Sequence, residues 1–249
     1  MLEIKNLTAG YGTHTVLDGV TVSLEKNRLT SMIGVNGCGK STLLKAILGI
    51  LSLSSGEIFI DGENLLTISR NEIAKKIAYL SQGKNIPDMT VEQMVLHGRF
   101  PYLSYPRRYS SHDREVAIKA METVGVAEFA HKPLYSLSGG MRQNAYIAMA
   151  LAQDTDYILL DEPTTYLDIA HQLELMRILR KLADSGKGIV TVMHNLPIAF
   201  DFSDKLTVMS NGKIIAYGTP SEICESHIVE DIFGVKIKQV QKGKYLYEY

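Results

Sequence analysis

Gly34-Val35-Asn36-Gly37-Cys38-Gly39-Lys40-Ser41 is the stretch on which the fold turns. A short apolar run, Leu29 to Gly34, precedes it, and a helical pattern from about Lys40 to Leu48 follows. Glycines let a backbone wrap closely around phosphate oxygens, and the N–H groups at a helix start supply positive potential. Lys40 adds a point charge suited to β- and γ-phosphates, and the Ser41 hydroxyl suits Mg2+. A ligand-free glycine turn accounts for the composition of this octet but not for its strand-then-helix context. The reading is a phosphate-binding loop, with Asn36, Gly37, Cys38, Gly39, Lys40, Ser41 and Thr42 around a nucleotide.

Working outward, short β-rich runs alternate with helical ones. Leu2 to Leu7 and Val20 to Leu24 read as strands, with Gly10, Gly12 and Gly19 as turn markers between them. Glu57 to Ile60 and Ile77 to Leu80 are further strands, the first closed by an Asp61-Gly62 turn. Val91, Met94 and Val95, and later Ala117, Ala120, Met121 and Val124, recur at helical spacing. Between these helices lies a basic, turn-rich stretch, Arg99 to Arg108. Ser138 to Gln153 is helical, Tyr157 to Leu160 a buried strand, Ile169 to Ala183 a helix and Ile189 to Met193 another buried strand. Leu206 to Met209 and Lys213 to Tyr217 flank a hairpin signal at Ser210-Asn211-Gly212. Strands and helices in this alternation predict an α/β fold with a mainly parallel sheet. The last 30 residues read as small α and β pieces without a motif.

Composition narrows the function. The chain has 249 residues, 45% of them apolar, enough for a sizeable core. Its 26 Lys and Arg residues against 27 Asp and Glu give a formal charge of −1, which argues against a nucleic-acid binder. No run reaches the roughly 18 apolar residues of a membrane span, and the N-terminus lacks a secretory pattern. Two cysteines, Cys38 and Cys224, make no disulfide framework. A soluble intracellular protein is expected. Tyr157-Ile158-Leu159-Leu160-Asp161-Glu162 supplies the second half of a nucleotide site. An apolar strand ending in two carboxylates puts Asp161 where it can hold Mg2+ and Glu162 where it can polarise an attacking water.

Between these elements lies Leu137-Ser138-Gly139-Gly140-Met141-Arg142-Gln143. A helix N-cap with flexible glycines explains its composition alone. In combination with its flanks it resembles the signature of ATP-binding-cassette ATPases, and the family's remaining elements follow in order. Tyr11, 23 positions before Gly34, matches the aromatic that stacks on adenine, although it also suits a turn tyrosine over the sheet. Gln82 matches the glutamine that reaches Mg2+ and the attacking water. Thr164 to Asp168 matches the loop after the second carboxylate, where Asp168 equally suits a helix cap. His194 matches the switch histidine at the γ-phosphate, a position where a lone histidine is otherwise structural.

The resemblance implies a P-loop NTPase core with an N-terminal antiparallel β subdomain and an inserted helical subdomain over about residues 90–152. A C-terminal extension covers about 226–249, within one domain, 1–249. Two copies would join head to tail with two ATP molecules between them, each meeting Lys40 and Ser41 of one copy and Ser138, Gly139 and Gly140 of the other. Glu162 is then the general base or water-orienting residue, supported by Gln82, Lys40 and His194. Ser41, Gln82 and Asp161 would hold Mg2+, and Asp168 would serve the nucleotide.

The Gly98-Arg99-Phe100-Pro101-Tyr102 segment and the later Ser111-His112-Asp113 resemble elements of importer ATPases for metal chelates: ferric siderophores, haem and cobalamin. Length and a direct start at the catalytic domain suit a stand-alone importer subunit. Its partners would be transmembrane permease subunits on the inner face of the cell membrane and, indirectly, a periplasmic or lipoprotein substrate-binding protein. The alternatives are a soluble cassette ATPase of iron–sulfur cluster assembly, an importer ATPase for another metal or oxyanion, and a non-catalytic scaffold that Glu162 and His194 argue against. Met141, Asn144, Met149, Tyr166 and Asn195 depart from the commoner family residues.

Overall fold

The computed structural model describes residues 1–83, 86–241 and 243–248. The chain runs through β1 (Leu2–Tyr11), β2 (His14–Leu24), β3 (Leu29–Gly34), α1 (Lys40–Ile47), β4 (Leu53–Ile60), the two-residue β5 (Glu63–Asn64), α2 (Arg70–Lys76) and β6 (Ile77–Leu80). An insertion then carries α3 (Val91–His97), α4 (Ser111–Thr123) and α5 (Gly139–Ala152). There follow β7 (Tyr157–Leu160), α6 (Ile169–Asp184), β8 (Gly188–Val192), α7 (Leu196–Phe202), β9 (Lys205–Ser210) and β10 (Lys213–Gly218). The chain closes with α8 (Pro220–Glu225), α9 (Ile228–Phe233), β11 (Lys236–Gln241) and β12 (Lys244–Glu248).

The central sheet has the order β10-β9-β3-β8-β7-β6 and is parallel except for β10. Its inner strands are mostly apolar because both faces are covered, with Thr30, Ser31, Thr191 and Thr207 as buried polar exceptions. Ile158 and Leu160 enter the core beneath the helical insertion, while Tyr157 and Leu159 enter the core shared with the antiparallel sheet. That second sheet has the order β2-β1-β4-β5. The Tyr157 hydroxyl donates to the Leu24 carbonyl at 3.0 Å and joins the two sheets where neither has water. All parallel strands end on one edge, so the loops after Gly34, Leu80, Leu160 and Val192 converge there. In open α/β sheets this carboxyl edge is where ligands bind.

The N-terminal strands are longer than their pattern predicts. Gly10 and Gly19 lie inside β1 and β2, and only Gly12 falls in the turn between them. Register shifts along β1 and β2 break the alternation, as bulges do. Gly56, at φ +97, similarly extends β4 back to Leu53. The hairpin at Asn211-Gly212 is the two-residue turn expected, with φ of 47 and 76.

Arg99 is not part of a solvated basic loop. Its guanidinium is buried, donating from Nε to Asp113 Oδ1 at 2.9 Å and from Nη1 to the Ala152 carbonyl at 2.9 Å, and it lies over the Tyr102 ring. The two sequence elements that resemble importer ATPases are thus one interaction. The serine that belongs with Asp113 is Ser110 rather than Ser111: Ser110 caps α4 in a reciprocal capping box, whereas Ser111 is the first helical residue. Burial opposes ionisation of Asp113, but the Ser110 hydroxyl and N–H and then Arg99 hold its pKa at about 2.

Arg99→Ala leaves a buried carboxylate without its cation and should cost about 3–5 kcal/mol in urea unfolding. The Asp113 contribution is full above about pH 4, the aspartate value of an unfolded chain, and is lost as the pH falls towards 2. Asp113→Asn should therefore flatten the acid limb of the stability curve. A native unfolding midpoint in Arg99→Ala would contradict this structural role.

Candidate functional site

Gly39 occupies the N-cap of α1 at φ +108, a conformation glycine adopts without strain. No side chain caps α1, whereas Ser110, Ser138 and Asp168 cap α4, α5 and α6. The first N–H groups of α1 therefore face the loop hollow, as anion binding requires. Lys40 is buried and its ammonium curls into this hollow, donating to the carbonyls of Gly34 at 2.7 Å and Val35 at 3.0 Å. A Cβ on Gly34 would sit 2.3 Å from the Met209 carbonyl and 2.7 Å from Cys38 Sγ. The loop is thus pressed against β9 with no room for a side chain.

Asp161, at the end of β7, is buried. Its carboxylate accepts from Ser41 Oγ at 2.8 Å and from the Tyr79 hydroxyl at 3.2 Å. No ion pair to Asp161 occurs among the described residues, so its remaining lone pairs are not committed to a protein cation. A hydroxyl and a carboxylate side by side are hard oxygen donors of the kind Mg2+ prefers. Burial, reinforced by the Asp161 charge, raises the Tyr79 phenol well above its ordinary pKa, so Tyr79 donates at any physiological pH.

Glu162 follows at φ +53, a left-handed backbone that turns its carboxylate away from the strand axis. Oε1 meets His194 Nε2 at 2.6 Å, while Oε2 accepts from Gln82 Nε2 at 3.0 Å and Thr165 Oγ1 at 3.2 Å. Three strand ends, those of β6, β7 and β8, therefore deliver Gln82, Glu162 and His194 to one point. Such a cluster orients a carboxylate and an imidazole for proton transfer at a bound water.

Ser138 and Gly139 stand exposed at the start of α5, where Ser138 Oγ accepts from the Met141 N–H at 3.3 Å. Among the described residues they make no hydrogen bond to residues 34–42. Asp168 caps α6, accepting from the His171 N–H at 2.9 Å, and this N–H and then the ring hold its carboxyl below the usual range. Tyr11 ends β1 half exposed, near enough to Tyr79 to add to the upward push on that phenol.

The model of the ABC transporter family matches residues 17–165. The chain belongs to the ABC transporter family. It is 41% identical over 234 residues to a petrobactin import ATP-binding protein of Bacillus anthracis, covering 93% of this chain and 86% of that one. It is 39% identical over 237 residues to the ferric enterobactin transport ATP-binding protein of Escherichia coli, covering 94% and 88%. An inward-facing structure assigned to the metal-chelate type of ABC transporter superposes with a TM-score of 0.85 at 28% identity, covering 100% of this chain and 97% of that one. A bacterial ABC transporter cassette solved as a dimer superposes with a TM-score of 0.76 at 28% identity, covering 88% and 99%.

The chain is thus an ABC-type ATP hydrolase, and the candidate site lies on the carboxyl edge of the sheet. Cassettes of this family pair with one another and work with transmembrane permeases. Among the described residues, no helix of this cassette is long and apolar enough to cross a membrane itself. Several residues around the site escape sequence reading. Tyr79, Thr165, His171 and Gln172 are ordinary residue types: Tyr79 bonds Asp161, 82 positions on, whereas Thr165 and His171 bond Glu162 and Asp168, each three residues before them. Gln172 Nε2 donates to the Leu167 carbonyl at 2.9 Å and its Oε1 faces Asn195 Nδ2 at 3.5 Å. The departure at Asn195 thus places a donor where an aspartate has none.

Cys38 Sγ is buried 3.7 Å from the Lys40 ammonium, so any adduct must displace the lysine or the loop. Cys224, whose thiol burial pushes up, bonds the Ile237 carbonyl far along the chain and provides an internal control. Protein alkylated at Cys38, verified by mass spectrometry, should lose ATP binding, while protein alkylated at Cys224 alone should keep it. Normal binding by the Cys38 adduct would contradict this packing.

Proposed function

We propose that this cassette is the ATP-hydrolysing subunit of an importer for a metal chelate, of the ferric siderophore, haem or cobalamin class. The observation that carries the reading is the near full-length similarity to import proteins for petrobactin and ferric enterobactin. The buried Arg99–Asp113 pair supports it, because it joins the two segments that resemble chelate importers. The relatives' names speak for import and against a soluble iron–sulfur role.

In this reading Asn36 to Thr42 enclose the phosphates, Lys40 turns from its own loop carbonyls to the β- and γ-phosphates, and Tyr11 stacks on the base. Ser41, Asp161 and Gln82 hold Mg2+, which when bound neutralises charge on the phosphate oxygens. Glu162 orients and polarises the attacking water. His194 stabilises the charge that develops opposite it, and Gln82 helps to hold the Glu162 carboxylate. Ser138, Gly139 and Gly140 present the N-terminus of α5 to the nucleotide held by a second copy, where the helix dipole favours the γ-phosphate. Asp168 serves the same junction. The pair engages permease subunits at the inner face of the membrane, and through them an external substrate-binding protein.

Glu162→Gln should lower turnover by at least about a hundredfold, the scale of a lost general base, while ATP binding persists. An unchanged rate would remove Glu162 from this role. The same variant, used as bait in detergent-solubilised membranes of the native organism, should retain a polytopic membrane protein. Recovery of soluble scaffold proteins alone would overturn the importer reading.

A further inference from the structure

The two glycines at the start of α5 are glycine for different reasons. A Cβ on Gly139 would meet nothing within 4 Å, so that position stands open. A Cβ on Gly140 would lie 2.2 Å from His171 Cδ2, 2.8 Å from Cγ and 2.9 Å from Nε2. Gly140 is buried under the imidazole of its own chain, 31 residues further on. The ring is fixed from its other side: His171 Nδ1 lies 2.8 Å from both Asp168 carboxylate oxygens, and the His171 N–H donates to Oδ1 at 2.9 Å.

The same first turn of α6 holds the loop after Glu162. Gln172, the next residue, donates to the Leu167 carbonyl and faces Asn195, the neighbour of His194. Asp168, His171 and Gln172 therefore join three segments: the α5 terminus, the 163–167 loop and the residue beside His194. The Asp168–His171 pair is exposed to solvent, with side-chain exposures of 66% and 41%. Exposed pairs of this kind contribute little to stability. What the pair does is fix the plane of a ring on which a helix end rests.

We propose that His171 is a positioning residue whose imidazole, held by Asp168, locks the glycine end of α5 to the loop after Glu162 so that both meet the second copy's nucleotide as one unit. The inference rests on the paired-cassette reading above and assigns to His171 a role in it. The ring is assigned no contact with the nucleotide. It acts by setting the distance between two segments that must arrive together, and a misplacement of about 1 Å at such a junction costs up to about a hundredfold in rate.

A double-mutant cycle in the purified full-length chain tests this, with ATP turnover resolved into kcat and KM. Gly140→Ala should lower kcat by about tenfold to a hundredfold, because its methyl group has to push the ring away. His171→Ala should lower kcat less and leave the KM for ATP near native, since the phosphate loop is untouched. In the His171→Ala background the Gly140→Ala change should cost no more than about threefold, a non-additivity that only residues in contact display. Equal losses from Gly140→Ala in both backgrounds would mean that the nucleotide, not His171, requires this glycine. Native kcat in His171→Ala would overturn the proposal as well. The importer reading fails separately, on the membrane pull-down, which a cycle on purified protein does not consult.

Discussion

The site depends on one buried carboxylate. Asp161 follows the buried parallel strand β7 and accepts from Ser41 and Tyr79, so it ties the phosphate loop to two strand ends. Burying a charge is costly unless it is bonded or paired. Two hydroxyl donors meet part of that demand, and the lone pairs left over are the ones assigned above to Mg2+. Everything else in the half-site is placed relative to this point: α1 starts one residue before Ser41, and Glu162 is the next residue after Asp161. Tyr79 lies three residues before Gln82.

The parallel core was legible in the sequence because its strands are covered on both faces. Leu29 to Gly34, Tyr157 to Leu160 and the run from Ile189 read as short, mainly apolar segments for that reason. The antiparallel strands were cut short because bulges around Leu7, Gly19 and Gly56 destroy period-two alternation. A glycine in such a strand looks like a turn from sequence. In the structure it permits a register shift.

The candidate site was legible as an ordered set of short motifs, and the structure brings Gln82, Glu162 and His194 into contact although 112 positions separate the first and last. What stayed hidden were the residues that hold the motif residues in place. Tyr79 reads as a strand aromatic, Thr165 as a loop polar residue, and His171 and Gln172 as a solvated helix face. Tyr79 and Gln172 meet Asp161 and Asn195 across the fold, while Thr165 and His171 bond carboxylates three residues before them through common polar types that mark no motif. Ser110 was displaced by one position because either of two adjacent serines satisfies a loose cap pattern, and only the backbone at Ser110 is extended. The left-handed turn at Glu162 carries no sequence signal either, since glutamate there has no glycine to mark it.

One chain brings Ser41 to Asp161 and gathers Gln82 and His194 at Glu162, while its Ser138 and Gly139 stand exposed and, among the described residues, make no hydrogen bond to residues 34–42. This is the geometry of half a site, and the central claim is that hydrolysis belongs to two copies. The most direct measurement is the ATPase rate per chain across a dilution series, with the mass of the species followed by light scattering. The account predicts a rate per chain that rises with concentration and reaches a plateau as dimers form in ATP. Full turnover from chains that scatter as monomers would contradict it.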